Sequence, residues 1–374
     1  MPEPHLPLPL SLQKRLEKVQ LEGTFRSLPK PFTGVDFTSN DYLGLAQDGK
    51  NIQFTSSLEG SMGSRLLQGN LQQILDLEKE AALLFQSEAT LWFSSGYQAN
   101  LAVMSSIPQK GDIILFDQEC HASLKDGMRL SLAHKFGYKH LDYFQLEKKL
   151  KLNRIKFPNA QLYVVSESLF SMSGKWSDPN ILDALCEQNG AYLIYDEAHS
   201  TGVVGDNGGG WFHYHLPNKT ALSITYTFGK APGFAGAFVA GSQRLINYLI
   251  NFARPFIYTT APPNLMVEAT RWVIHKMAMA EDRRLELQEK LAFFYAQFGK
   301  TVSAPISPII PIPISGISEC KEVAQQLQNQ GFNVKAILPP TVLPGTERLR
   351  INITALHTYE ELRNLAEALK PWWS

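Results

Sequence analysis

Apolar and polar positions change rhythm along the chain, and the change divides it. From Thr90 to about Gly241, short apolar runs alternate with stretches of helical spacing. The runs are Thr90–Phe93, Asp112–Phe116, Gln161–Val165, Ala191–Tyr195, Leu222–Thr225 and Ala237–Ala240, rich in Ile, Val, Tyr and Phe and bounded by Gly, Ser or Asp. Buried strands of a mainly parallel sheet joined by helices produce this texture. Before them, Ser11–Leu28 carries Leu12, Leu16 and Val19 at helical spacing, and Leu71–Phe85 reads as a second helix. After Asn264 the texture changes. Leu265–Phe298 reads as one long helix, and Pro305–Ile314 as a strand whose prolines put it at an edge. A helix (Glu319–Gln330), an extended segment (Val334–Ile353) and a last helix (Tyr359–Leu369) follow. The fold class expected is α/β: a leader over residues 1–45, a large domain over 46–262 and a smaller α+β domain over 263–374.

Composition narrows the partners. The chain has 374 residues, with 35 Lys+Arg against 35 Asp+Glu, so its formal net charge is zero. That balance argues against a nucleic-acid partner, which needs a basic footprint. Apolar residues make up 44%, yet no uninterrupted apolar run reaches about 18 residues, so no membrane span is expected. Cys120, Cys186 and Cys320 are scattered without CxxC or Cys/His spacing, which predicts neither a metal site nor a disulfide framework and fits a reducing compartment. Met1-Pro2-Glu3-Pro4-His5 lacks the basic flank and apolar core of a secretory signal. A cytoplasmic location is expected.

Five segments carry candidate chemistry. In Thr227-Phe228-Gly229-Lys230-Ala231-Pro232-Gly233 a single lysine follows an apolar strand among small residues. Small neighbours let a planar group approach the backbone, and a semi-apolar site favours the neutral amine that forms a Schiff base. A surface lysine in a turn would read the same way. In Ala191–His199 a buried strand runs into Asp196 and Glu197 at its carboxyl end, where ligands sit in open α/β sheets. A buried carboxylate there needs a cation, and the protonated pyridine of pyridoxal 5′-phosphate (PLP) is one. His199, three residues on, is near enough to reach the same ligand; a metal held by Asp196 and His199 is the alternative. A nucleotide hydrolase would need a GxxxxGK[ST] loop, and the sequence has none.

Ser94-Ser95-Gly96-Tyr97-Gln98 lies between a strand and a helical run, so its first amides could hold a phosphate, or form an ordinary capped helix start. His121, in Asp117–Ser123, follows another strand and could stack on a planar cofactor or be structural. Arg350, in an apolar extended segment, suits a bidentate carboxylate contact or a salt bridge. Together these supply phosphate donors, a ring partner, an acid for a pyridinium, a Schiff-base lysine and a carboxylate anchor, a set that points to PLP.

The chain resembles the α-oxoamine synthases, PLP enzymes of fold type I. The resemblance runs from Phe37 to His357. It rests on Ser39-Asn40-Asp41-Tyr42-Leu43-Gly44-Leu45, Gly60–Asn70, His121–Ser123, Asp196–Gly202, Thr227–Ala231, Ala253–Thr260 and Leu349–Ile351. It implies a fold type I transferase and a homodimer. Lys230 would be the Schiff-base lysine and the Cα base, Asp196 the pyridinium partner, His121 the stacking ring, and His199 a bond near the phenolic oxygen. Gly96, Tyr97 and Thr227 would hold the phosphate, Thr259 or Thr260 the phosphate of the partner subunit, and Ser171 would approach the ring. Asn40 and Arg350 would bind the amino-acid carboxylate, and Arg26 the acyl substrate. The Gly-Ser-x-Gly-Ser-Arg-Leu-Leu-x-Gly-Asn stretch and the short length imply L-alanine and an acyl-CoA as substrates, the acyl group being pimeloyl on CoA or a carrier protein.

Alternatives are a sibling synthase using glycine or serine, a plain aminotransferase, and a non-catalytic partner subunit; Lys230 argues against the last. The chain departs from the family pattern at Cys120, usually Asn, at Ser173 and Lys175, both usually Asp, at Pro232, and at Leu71-Gln72-Gln73, where a histidine often stands. The changes at 173 and 175 alter charge on the acyl side.

Overall fold

The computed structural model describes residues 8–55 and 59–373. The Met1–His5 segment lies outside them. A helix at Leu10–Leu21 buries none of its residues. It ends seven residues before the expected Leu28, because Gly23 takes a left-handed conformation and Thr24 N–H bonds back to Val19 O (2.9 Å). After it comes a two-residue strand, β1 (Val35–Asp36).

Seven strands form the main sheet: β2 (Ala89–Phe93), β3 (Ile113–Asp117), β4 (His134–Tyr138), β5 (Leu162–Glu167), β6 (Ala191–Asp196), β7 (Ser223–Thr227) and β8 (Ala237–Gly241). Their order is β2-β8-β7-β6-β5-β3-β4, and only β8 runs against its neighbours. Alternate side chains feed two cores. Ile113, Leu115, Leu162, Val164, Leu193 and Tyr195 pack on one face, and Ile114, Tyr163, Val165 and Ile194 on the other. A sheet covered on both faces explains the near-continuous apolar runs. The strand that hydropathy does not announce is β4. It is an edge strand reading His-Lys-Phe-Gly-Tyr with its first two residues exposed, so it has no apolar run.

The C-terminal part is built on β9 (Ile309–Pro313), β10 (Phe332–Asn333), β11 (Lys335–Ile337) and β12 (Arg348–Asn352). The antiparallel order β11-β12-β9 leaves the proline-bearing β9 at an edge, as expected. Two expectations are corrected. Leu265–Phe298 is two helices, Asn264–Ala278 and Glu281–Ala296. The break carries no Gly or Pro; the buried Arg284 makes it tolerable by donating to the freed carbonyls of Met277 (2.8 Å) and Ala278 (3.3 Å). Val334–Ile353 is not one extended segment but β11 and β12, with the intervening loop turning the chain back. The stretch from Val35 to Tyr42 is sewn to this C-terminal part. β1 pairs with β10, Asn352 N–H donates to Phe37 O (2.8 Å), and Ala355 N–H donates to Tyr42 O (2.8 Å).

Candidate active site

The carboxyl ends of the parallel strands open into a cleft of about 280 Å³, lined among others by Asn40, Gly96, Asn100, His121, Glu167, Asp196, His199, Thr227 and Lys230. A roomier hollow of about 620 Å³ beside Arg284 gathers no such chemistry, since that guanidinium is spent on backbone carbonyls and Glu281.

Asp196 ends β6 and is 3% exposed. Its Oδ2 accepts from Asn100 Nδ2 (2.6 Å) and its Oδ1 from Ala198 N–H (2.8 Å). Asn100 also donates to Ser123 Oγ (3.0 Å), which lies 2.8 Å from His121 Nδ1. Because Nδ1 accepts the Ser123 N–H (3.2 Å), the neutral ring carries its proton on Nε2. Burial holds His121 below the usual histidine range, with Asp196 opposing and Lys230 adding to the effect. The ring is thus tied to Asp196 through two side chains that hydropathy did not single out.

Lys230 sits in the tight connection between β7 and β8, where Gly233 N–H bonds Lys230 O (2.7 Å). Glycine is required at 233: φ is +74° and a Cβ would lie 2.4 Å from Ala46 N. Burial lowers Lys230 from the ordinary lysine range while Asp196 and Glu167 pull it back up. Among the described residues its ammonium nitrogen has no hydrogen-bond or ion-pair partner.

On the other side of the cleft His199 meets the Tyr42 hydroxyl through Nδ1 (2.8 Å). Burial, followed by Lys230 and Arg350, holds His199 well below its usual range, so it is neutral. Burial also pushes the Tyr42 phenol up to about 12, which keeps it a neutral partner. Arg350 donates to Asn40 Oδ1 (2.9 Å), which also receives Asn352 Nδ2 (3.2 Å). The strand contacts of residues 35–42 bring Asn40 and Tyr42 here from far away in sequence.

The helix Gly96–Ser106 points its N-terminus at the cleft, capped by Ser95 Oγ accepting Gln98 N–H (3.2 Å). Its first amides have no intrahelical acceptor and suit an anion. At Gly96 an added Cβ would lie 2.4 Å from Thr227 Cγ2, so only glycine leaves this cradle open. These residues fit PLP: free amides and Thr227 for a phosphate, a buried acid held by two donors for a ring nitrogen, and a lysine without a partner among the described residues. Asn100 Oδ1, buried without a partner, adds an acceptor beside Asp196.

Not every expected residue converges. Ser171 follows β5 but is not among the cleft residues, and Arg26 is exposed, donating to Thr341 Oγ1 (3.0 Å). Thr259 and Thr260 line a neighbouring hollow that shares Ser94 with the cleft. Ser173, on the turn after β5, is bonded to His140 Nε2 (2.9 Å), whose Nδ1 meets the buried Asp117 (3.1 Å); Lys175 is exposed. Sequence reading missed Tyr42, Asn100, Ser123 and Glu167 as site residues. For Asn100 the available signal was a polar side chain inside an apolar helical run; Tyr42, Ser123 and Glu167 sit among polar neighbours and gave none.

Strand alternation separates the two adjacent acids. Asp196 faces the cleft, whereas Glu197 accepts the N–H groups of Trp211 (2.8 Å) and Phe212 (2.6 Å) at the start of a short helix. Burial pushes the Glu197 carboxyl from 4.5 up to about 7. The folded state therefore keeps a proton that the unfolded chain releases, and this contribution is full below about pH 4.5 and lost as pH rises through about 7. Denaturant melts at pH 5 and pH 8 are expected to show wild type losing about 2 kcal/mol relative to Glu197→Gln between them. An unchanged difference would contradict this assignment.

The model of the aminotransferase class I and II family matches residues 33–369, so the chain belongs to that family. It is a PLP-dependent enzyme of fold type I. Within that class it is similar to 8-amino-7-oxononanoate synthases: that of Hydrogenovibrio crunogenus is 38% identical over 343 residues, covering 90% of this chain and 86% of the relative. The solved 8-amino-7-oxononanoate synthase of Francisella tularensis superposes with a TM-score of 0.73 at 28% identity, over 90% of this chain and 97% of that one. A serine palmitoyltransferase from S. paucimobilis, solved with PLP bound, shares the fold with a TM-score of 0.82 at 23% identity, over 97% and 96% of the two chains. Among the described residues no helix is long and apolar enough to cross a membrane.

Proposed function

We propose that the enzyme condenses L-alanine with a pimeloyl thioester, on CoA or a carrier protein, releasing the thiol and CO2 and forming 8-amino-7-oxononanoate. The observation that carries this reading is Lys230, without a side-chain partner among the described residues, in one cleft with the doubly bonded Asp196, in a chain 38% identical to a synthase of that name. PLP supplies, when bound, an electron sink for the Cα carbanion.

The side chains divide the remaining work. Arg350 and Asn40 hold the alanine carboxylate, which places the Cα–H toward Lys230. The Lys230 amine, kept available by burial, takes that proton and later returns it. Asp196 would hold the positive charge that makes the sink effective, and Asn100 and Ala198 keep its carboxyl still. His121 covers one face of the site and limits water there, and His199 with Tyr42 fixes the opposite edge. With PLP bound, the alanine Cα would form a C–C bond to the acyl carbon as the C–S bond breaks, the sulfur leaving as the thiol after taking up a proton. The carboxylate, now β to a ketone, leaves as CO2. Gly96, Tyr97 and Thr227 hold the phosphate, and a homodimer brings Thr259 or Thr260 to the phosphate of the partner subunit.

The fold likeness to a serine palmitoyltransferase, with Ser173 and Lys175 standing where the family usually has Asp, motivates a second reading: a sibling synthase with another amino acid or acyl chain. Thiol release separates the two. L-Alanine with pimeloyl-CoA is expected to exceed glycine or serine, and acetyl-CoA or palmitoyl-CoA, by at least about tenfold in kcat/KM, the order of discrimination available to a pocket that counts methylenes. Equal rates with palmitoyl-CoA would overturn the alanine and pimeloyl assignment.

A further inference from the structure

Strand register sets two carboxylic acids side by side at the cleft. Glu167 ends β5, Asp196 ends β6, and the two are paired across the ladder. They are 4% and 3% exposed. Two negative charges this close in a dry site repel, so one of the pair keeps a proton. The donor pattern decides which. Asp196 accepts an N–H on each oxygen, so neither oxygen is left to carry a proton toward the cleft. Glu167 accepts one, the main-chain N–H of His121 on Oε1. Among the described residues its second oxygen has no donor, while the residue itself lines the cleft.

The charged and titratable groups around it agree. The carboxyls of Asp196 and Asp117 face Glu167, Lys230 opposes them, and the Cys120 thiol and His121 lie on the adjoining turn. Burial, then the Asp196 charge, pushes the Glu167 carboxyl well above the usual range. An ionised Glu167 would also hold Lys230 in its ammonium form and oppose the amine the chemistry needs.

We propose that Glu167 is a positioning residue working as a neutral acid: its Oε1 fixes the main chain of His121, and so its ring, while its O–H offers a hydrogen-bond donor to the cleft without placing a second negative charge beside Asp196. The inference rests on PLP binding and not on which acyl group is used, so its test needs no acyl substrate.

The full-length apoprotein is titrated with PLP and binding is followed by tryptophan fluorescence. The pH midpoint of the bound cofactor's visible absorbance is then recorded for wild type, E167Q and E167A. Glutamine keeps both an acceptor for His121 and a donor in the cleft, so E167Q is expected to bind PLP within about twofold of wild type with its midpoint unmoved. E167A strands the His121 N–H and is expected to weaken PLP by about tenfold. An ionised Glu167 instead predicts that E167Q lowers the midpoint by about one pH unit, because an anion beside the lysine is removed. That shift, or PLP binding by E167Q as weak as by E167A, or E167A binding like wild type, would each overturn the proposal. If E167A does not fold, the E167Q midpoint decides alone.

Discussion

Lys230→Ala is expected to abolish turnover, by at least about 10⁴-fold, and to remove the visible absorbance of lysine-bound PLP. No other amine can take over. Among the described residues, the cleft holds His121 and His199 as its other bases, and both are kept neutral and weakly basic by burial. Neither can form the Schiff base. The variant is expected to fold, because among the described residues the Lys230 side chain has no hydrogen bond or ion pair to lose and the turn around it is made by backbone bonds, Gly233 N–H to Lys230 O (2.7 Å) and Phe228 N–H to Gly236 O (2.9 Å). Absorbance spectra and thiol release on the purified variant check both parts. Retention of the absorbance together with turnover within tenfold of wild type would remove Lys230 from the mechanism.

Asp196→Asn is expected to lower kcat/KM by about 10³-fold, the loss typical of a preorganised charge at a reacting centre, and to weaken PLP binding measurably. Asparagine has the same shape, so the loss is electrostatic. A neutral amide cannot hold a pyridinium charged, and its NH2 cannot accept the Asn100 Nδ2–H that Asp196 Oδ2 accepts at 2.6 Å. Steady-state rates and the PLP dissociation constant of the variant separate this from a folding defect, since thermal melts of the apoprotein are expected to move little. Rates within about fivefold of wild type would mean that Asp196 is not the group that sustains the sink.

Much of this site could be read along the chain because its residues come one after another from successive strand ends, in short segments whose composition is unusual for its surroundings. Lys230 among glycines, Asp196 at the end of an apolar strand and Gly96 before a helical run each violate the local pattern, and function is what keeps such violations. Glu167 escaped because it reads simply as the polar residue that ends β5; only its pairing with Asp196 and its bond to the His121 main chain make it part of the cleft. Asn100 escaped for the opposite reason. It lies inside a helix whose other inward residues are Ala, Val and Met with Ser106 at the end, and a polar side chain there reads as tolerated.

The amino-acid sequence by itself determined the α/β class, the edge position of β9 and the choice of PLP, because each follows from periodicity or from residue type at short range. The tertiary structure alone decided what depends on distant pairing. It split Leu265–Phe298 where Arg284 accepts the cost of two helix ends, and it made a strand of His134–Tyr138 by giving it a neighbour. It carried Asn40 and Tyr42 to Arg350 and His199 through β1 and β10, some 300 residues apart in the chain. It also turned Asp196 into the cleft and Glu197 away from it, a difference of one residue that the pleat resolves and composition cannot.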